Sequence, residues 1–261
     1  MPEHVRSEIL RRLAGAEQEH GVRILFAIES GSRAWGFASP NSDYDVRFVY
    51  VHEPDWYLAV DLEERRDVIE YPITDDIDLN GWDARKSLRL YWKSNPAFIE
   101  WIQSPITYME KSQFRAGALS ILPTVYAPDK GIYHYLSMAR TNYRGYLREE
   151  VVPLKKYFYV LRPLLAARWV AKTGAAAPIE FEKLLTLLDD KPAVLFAIHT
   201  LLEQKRRAPE LGSAAAVPVL NEFIEAELES EPTEVPKKSH SPIVIGQLND
   251  LFHRVLREHN G

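Results

Sequence analysis

The chain has 261 residues, of which 46% are apolar and 26% are charged; this balance is ordinary for a folded globular protein and excludes a mainly disordered chain. Its formal net charge of −5 excludes a generally basic nucleic-acid binder, so contact with nucleic acid would need a local basic patch. Cysteine is absent, which excludes disulfides, thiolate nucleophiles and metal sites with cysteine ligands.

The chain has no sequence feature of a membrane or secreted protein. No apolar stretch approaches the roughly 20 residues that a membrane-spanning helix needs. Residues 1–21 are charged and amphipathic and lack the apolar centre of a signal peptide. We therefore expect a cytoplasmic protein without a membrane partner.

The first part of the chain alternates helical and strand patterns. Apolar residues at helical spacing predict a helix over residues 5–19, and small residues within 29–36 predict a turn that opens a short helix. Gly81 is expected in a turn, and Asp83 is expected to cap a helix that ends near Trp92. Strands are expected at residues 23–28, 44–51, 68–73 and 77–79. This alternation predicts an α/β fold.

After about residue 126 the strand patterns nearly vanish and helical patterns replace them. Residues 230–242, rich in proline, serine and charge, predict a linker or exposed loop. Helices are expected at residues 132–150, 154–172, 178–189, 192–207, 213–229 and 243–258. We therefore predict two domains, an α/β domain over residues 1–110 and a helical domain over 111–261.

Three aspartates predict a metal site. Asp43 and Asp45 stand two residues apart at the start of the second strand, so both carboxylates are expected on one face. Carboxylates held together need a cation between them, and Mg²⁺ prefers such oxygen ligands. Asp78 joins them if its strand is a neighbour, and three carboxylates can hold two metal ions about 4 Å apart. A lone Asp-x-Asp is, however, also common on ordinary exposed strand ends.

Gly31 and Ser32 predict a phosphate site. They follow a strand and open a helix, where glycine permits close backbone approach and the free N–H groups and serine hydroxyl can hold phosphate. Arg33 adds a positive charge beside them. A Gly-Ser pair alone usually marks only a turn, so the indication comes from its order with the three carboxylates.

That order, with ten residues between Gly-Ser and Asp-x-Asp, resembles the nucleotidyltransferase superfamily built on the DNA polymerase β palm. Within it the chain is similar to the YcgL-type group, the RlaP nucleotidyltransferases associated with RNA repair. The resemblance spans most of residues 23–172. It is carried by GSRAWGFASPNSDYDVRFVYV (31–51), DLNGWDARKSLRLYWKSNPAFIEWIQSPITY (78–108) and KKYFYVLRPLLAARW (155–169). It implies a palm with a mixed sheet, followed by a helical C-terminal domain.

The resemblance also implies an activity. Gly31 and Ser32 would bind the triphosphate, Asp43 and Asp45 would hold metal ions, and Asp78 would bind the catalytic metal and help deprotonate the acceptor. The expected reaction is transfer of a nucleoside monophosphate from a nucleoside triphosphate such as ATP to a hydroxyl group, with release of pyrophosphate. Two Mg²⁺ ions are expected, with Mn²⁺ as a substitute, and an RNA end is the acceptor that the family suggests.

A second set of nucleotide-binding residues is expected on the helix at 154–172. Lys155, Tyr159 and Arg162 recur at helical spacing on one face, and such a stripe can bind phosphates and stack a base. Lys156 flanks the stripe, and Arg47 lies beside the predicted acidic site. The alternatives without a nucleotide-binding role are a solvated basic face for the helix and a structural ion pair for the arginines. The full expected nucleotide-binding set is Gly31, Ser32, Arg33, Arg47, Lys155, Lys156, Tyr159 and Arg162.

Two other functions stay open. A nucleotidyltransferase of this kind can instead modify a protein or a small molecule, as antitoxins and drug-modifying enzymes do. A non-catalytic nucleotide-binding sensor would bind the nucleotide without releasing pyrophosphate. The sequence does not determine the nucleotide, the acceptor or the oligomeric state.

Overall fold

The computed structural model describes residues 1–207, 212–230 and 242–258. The linker predicted at 230–242 lies outside the described residues except for its two end positions. The helices are α1 Glu3–His20, α2 Gly31–Ala34, α3 Ala84–Trp92, α4 Pro96–Gln103, α5 Phe114–Val125, α6 Pro128–Tyr146, α7 Lys156–Thr173, α8 Phe181–Leu185, α9 Pro192–Arg207, α10 Pro218–Glu229 and α11 Pro242–Arg257. The strands are β1 Arg23–Glu29, β2 Tyr44–Val51, β3 Val68–Glu70, β4 Ile77–Asp83, β5 Thr107–Glu110, β6 Val151–Pro153 and β7 Ser213–Ala215. Within the described ranges, no helix combines the length and the apolar character that crossing a bilayer requires.

Five strands form one mixed sheet in the order β3-β4-β2-β1-β5. The neighbouring strands β2 and β4 are parallel, and the other neighbouring pairs are antiparallel. The fold class is therefore mixed α/β, as expected from the sequence. The parallel pair matters for function because it places equivalent ends of β2 and β4 at one edge of the sheet.

The apolar runs of β1 and β2 form the centre of the sheet because neighbouring strands cover both of their edges. Helix α1 packs on this sheet through Ile9, Leu13 and Ala16, whose spacing places them on one face of the helix. They join a core cluster with sheet residues such as Val46 and Phe48. This apolar core fixes the positions of the strands that carry the candidate site.

The turn predicted at Gly81 is wrong, because Gly81 lies within β4. It pairs with Phe48 of β2, and a Cβ at this position would lie 2.2 Å from the Phe48 ring. The glycine thus makes room for an aromatic ring on the neighbouring strand.

The helix cap predicted at Asp83 is confirmed, since the Asp83 carboxylate accepts a hydrogen bond from the Arg85 N–H at 2.7 Å.

The helix predicted over 213–229 is shorter in the structure. Residues Ser213–Ala215 form β7, which pairs with β6, and α10 begins at Pro218. Proline is favoured at the first position of a helix because it has no N–H to leave unpaired, which accounts for this starting point.

The described residues form two compact units. One contains 1–31, 43–125 and 242–258, and the other contains 32–42, 126–207 and 212–230. A single division at residue 110 does not reproduce these units. Helix α5 belongs with the sheet because it packs on β1, where Phe114 stacks on Phe26 at 6.2 Å between ring centroids. Helix α11 packs on α3 and α5 of the same unit. Whether residues 1–110 fold as a domain stays a prediction.

Candidate active site

Two carboxylates lie beside each other on the parallel strands. Asp45 is the second residue of β2 and Asp78 the second of β4, and the register places them directly opposite. Their side chains are 30% and 26% exposed, so each carboxylate is accessible to solvent while most of the side chain packs against the protein. The strand that carries Asp78 is therefore the neighbour of β2, the arrangement on which the expected metal site depends.

The guanidinium of Arg47 bridges these two carboxylates. Its Nη2 lies 2.7 Å from Asp78 Oδ2 and 3.2 Å from Asp45 Oδ1. Its Nη1 donates to the Asp78 carbonyl at 2.9 Å and to the Val46 carbonyl at 3.1 Å. Since side chains two residues apart on a strand share a face, Arg47 can lie between Asp45 and its partner. Arg47 was expected either to bind the nucleotide or to form a structural ion pair, and the structure contains the ion pair.

Gly31 lies directly against the Asp45 carboxylate. Its φ is +57°, in the left-handed region that favours glycine, and a Cβ built there would lie 2.0 Å from Asp45 Oδ2. Any larger residue would have to displace the carboxylate. Gly31 was expected to let the backbone approach a phosphate closely; in the structure it lets the backbone approach the Asp45 side chain of β2.

The backbone of Asp45 is fixed by Glu29 and Ser30. The Asp45 N–H donates to Glu29 Oε1 at 2.8 Å, and the Asp45 carbonyl accepts from the Ser30 N–H at 2.8 Å. Glu29 is only 1% exposed, and its other carboxylate oxygen accepts a hydrogen bond from the Tyr108 hydroxyl. A buried carboxyl group needs such hydrogen-bond partners, and here they tie the end of β1 to Asp45. Sequence reasoning missed Glu29 because a glutamate before a Gly-Ser turn looks like ordinary surface.

Asp43 differs from the other two aspartates. It is exposed and precedes the first residue of β2, so the strand alternation that predicted a shared face with Asp45 does not extend to it. Across residues 1–207, 212–230 and 242–258, no set of three His, Asp or Glu side chains has a metal-binding arrangement. The site of three carboxylates and two metal ions therefore stays a prediction.

The donor chemistry at Asp45 and Asp78 fits a hard divalent cation. Both residues offer carboxylate oxygens, the ligands that Mg²⁺ prefers, and both already share one positive group, the Arg47 guanidinium. A metal ion at this place would need Arg47 to move away from one or both carboxylates.

The other expected nucleotide-binding residues lie in the second compact unit, which contains 32–42, 126–207 and 212–230. Ser32 and Arg33 belong to α2, and the Ser32 carbonyl accepts a hydrogen bond from the Phe37 N–H at 3.0 Å. Lys155 occupies the position directly before α7, and Lys156 is the first residue of that helix. The Lys156 Nζ lies 3.9 Å from the centroid of the Tyr146 ring, a cation–π contact.

The expected stripe on α7 is divided by burial. Tyr159 is 41% exposed, whereas Arg162 is 2% exposed and donates to the Ile179 carbonyl at 3.2 Å. The Arg162 guanidinium also lies 4.6 Å from the centroid of the Trp35 ring, and Tyr159 meets the same ring edge-on at 5.9 Å. At Arg162, therefore, α7 does not form a solvated basic face. Trp35, which joins these two residues, was not among the expected nucleotide-binding residues.

Comparisons with known proteins identify the family to which the sequence is similar. The sequence profile of a family described as RlaP, RNA repair pathway DNA polymerase beta family, matches residues 5–254. A protein of Bacillus subtilis (strain 168), named uncharacterized protein YcgL, is 45% identical over 255 residues, which is 97% of each chain. A crystal structure of a nucleotidyltransferase-like protein from Exiguobacterium sibiricum 255-15 is 12% identical, with a TM-score of 0.26 over 93% of this chain and 77% of that one.

Proposed function

The chain belongs to the RlaP family, the RNA repair pathway DNA polymerase beta family, and from this membership we propose that it is a nucleotidyltransferase acting on RNA ends. In the proposed reaction a hydroxyl group of the acceptor attacks the α-phosphate of a nucleoside triphosphate. A new bond forms between the acceptor oxygen and the α-phosphorus, the bond between the α-phosphorus and the oxygen that bridges to the β-phosphate breaks, and pyrophosphate leaves.

One observation carries this proposal, the pair of Asp45 and Asp78 on the parallel strands β2 and β4. Two carboxylates in register, partly exposed and near a glycine-containing turn, support binding of a magnesium nucleotide complex once Arg47 has moved away from them. Phosphoryl transfer needs mainly positioning and electrostatic stabilisation, which such a site supplies. When bound, Mg²⁺ would polarise the phosphate and neutralise developing negative charge.

The residues of the chain then have defined tasks. Asp45 and Asp78 would hold the metal ion, with Asp43 as a further ligand, and Asp78 would accept the proton of the acceptor hydroxyl. Arg47, once released from the carboxylates, can bind a phosphate oxygen of the nucleotide through its guanidinium. Gly31 keeps the turn close to Asp45, and Ser32 would bind the triphosphate.

The proposal is tested by pyrophosphate release with each of the four nucleoside triphosphates and Mg²⁺, with and without a pool of RNA. We expect release that RNA stimulates, and a loss of about 100-fold or more in Asp45→Asn and Asp78→Asn. Asp75→Asn is the matched control, because Asp75 lies in the neighbouring exposed loop with φ +52°, a conformation that asparagine accepts.

The outcomes separate the alternatives. Release that a protein or small-molecule acceptor stimulates, and RNA does not, would contradict the RNA end as acceptor. Nucleotide binding without release in the presence of every acceptor class would contradict an enzyme and indicate a nucleotide sensor. Equal activity of Asp78→Asn and Asp75→Asn would contradict the assigned site.

A further inference from the structure

Two adjoining hollows on the surface of the sheet unit share Arg85 and Arg89 of α3. One lies between α3 and the segment that precedes β3 and is lined mainly by charged side chains. The other lies between α3 and α11, has a volume of about 290 Å³ and is lined mainly by apolar side chains. That volume is near the lower end of the range for small-molecule sites.

The charged hollow is lined by five cations and three carboxylates, and two of the cations, Arg65 and Arg66, pair with Asp61 at 2.9 Å and Glu70 at 2.7 Å, which do not line it. Arg85 pairs with Glu63 and Lys86 pairs with Asp67, each at 2.7 Å. Glu63 and Asp67 are 68% and 51% exposed, and ion pairs of this kind contribute only about 0–1 kcal/mol. A phosphate can therefore replace these carboxylates at little cost. The cations of this hollow are Arg65, Arg66, Arg85, Lys86 and Arg89.

The apolar hollow offers a place for a flat ring. Trp92 and Phe252 line it together with Leu88, and both aromatic side chains are partly exposed. Phe252 is held in position by Tyr57, which meets it edge-on with the ring centroids 5.0 Å apart. Exposed aromatic side chains beside arginines are the combination that stacks bases and holds the adjacent phosphates.

We propose that the two hollows bind single-stranded RNA, with phosphates at Arg85 and Arg89 and a base between α3 and α11. This inference rests on the proposed function for the identity of the strand. Asp83 at the charged hollow and Asp78 of the acidic site stand five residues apart on β4, roughly 16 Å in an extended strand. That separation is within the reach of a few nucleotides, although strand alternation places the two side chains on opposite faces of β4.

The test is fluorescence anisotropy with a short labelled single-stranded RNA, without nucleotide or divalent cation, over a range of salt concentrations. The double variant R85Q/R89Q should weaken binding at low salt by at least about ten-fold, and the log–log salt slope should fall by about 1.4, or 0.7 for each lost phosphate contact. R89Q alone should lower the slope by about 0.7; Arg89 is exposed, so this substitution leaves the fold intact. Trp92→Leu should weaken binding by about ten-fold with no change in slope, because stacking carries no charge.

R11Q is the matched control, because Arg11 is also ion-paired at 2.7 Å on a helix surface but is distant in sequence from both hollows. Equal affinity and equal slope for R85Q/R89Q and R11Q would overturn the inference, as would failure of the wild-type protein to bind RNA. Pyrophosphate release and RNA binding are measured in separate assays, so loss of catalysis in Asp78→Asn and loss of RNA binding in R85Q/R89Q are independent readouts. A protein that binds RNA at these hollows and releases no pyrophosphate would contradict the proposed function alone.

Discussion

Replacing Arg47 by methionine tests whether Asp45 and Asp78 form one electrostatic unit. Methionine keeps an unbranched apolar stem and removes the guanidinium. That group contacts Asp78 Oδ2 at 2.7 Å and Asp45 Oδ1 at 3.2 Å through the same nitrogen. The substitution therefore leaves two negative groups side by side without their shared cation.

The size of the effect follows from the geometry. Since both carboxylate oxygens contact one nitrogen, they lie within about 6 Å of each other, and two unit charges at that distance repel by about 3 kcal/mol at an effective dielectric constant near 20. Partial solvent exposure of both side chains reduces this to about 2 kcal/mol. For a protein of this size, the melting temperature should fall by about 4–8 °C.

The assay is thermal unfolding of the wild type and Arg47→Met at low ionic strength, with and without Mg²⁺. Arg12→Met is the control: Arg12 is 16% exposed, similar to the 18% of Arg47, and it also contacts two carboxylates, those of Glu8 and Asp75. Asp75 is 81% exposed, so its loss of a partner should cost less than about 1 kcal/mol. We expect Mg²⁺ to restore most of the stability of Arg47→Met and to leave Arg12→Met unchanged.

Two results would refute this reasoning. An Arg47→Met protein as stable as the wild type without divalent cations would show that Asp45 and Asp78 do not repel each other in the folded chain. An equal response of Arg12→Met to Mg²⁺ would show that the cation acts on surface charge in general.

Two further substitutions test neighbouring features. Gly31→Ala should lower pyrophosphate release sharply because its Cβ would displace the Asp45 carboxylate; Gly21→Ala, with a similar φ of +59° and no atom within 4 Å of its Cβ, measures the backbone cost alone, about 1–2 kcal/mol by thermal unfolding. Burial raises the pKa of Asp83 to about 6, so its contribution to stability is present below pH 4 and is lost as the pH rises through 6. Asp83→Asn should therefore be more stable than the wild type at pH 8, by up to about 3 kcal/mol, and the difference measured by chemical unfolding should vanish below pH 4. The comparison cancels His52, whose pKa burial lowers to about 4. A difference that is independent of pH would contradict the assignment.

Local patterns were sufficient to predict most of the fold. The apolar runs at 23–28 and 44–51 correspond to β1 and β2, because strands at the centre of a sheet are buried on both faces. The helix expected at 192–207 has those same bounds in the structure. For the site, the prediction that Asp78 could join Asp45 depended on the two strands being neighbours, and the register of β2 and β4 places them opposite each other.

The remaining features depend on contacts between distant residues, which a local pattern does not contain. In the sequence Gly81 is typical of a turn, and only its contact with the Phe48 ring of the neighbouring strand explains why a glycine lies inside β4. Arg162 shares a face with Tyr159 by helical spacing, yet it is buried against Trp35, more than a hundred residues away in the chain. Glu29 gains its importance from Tyr108 and from the backbone of Asp45, both on other strands.

The hydrogen bonds on either side of Asp45 divide the acidic site into a fixed part and a movable part. The N–H and the carbonyl of Asp45 are both bound by consecutive residues, Glu29 and Ser30, so this residue cannot shift without disrupting the join between β1 and β2. The Arg47 guanidinium, by contrast, lies at the end of a long side chain and is held only by its own hydrogen bonds and ion pairs, so it can rotate away while both strands stay in place. Entry of a ligand at this site therefore requires the turning of one long side chain rather than a rearrangement of the sheet.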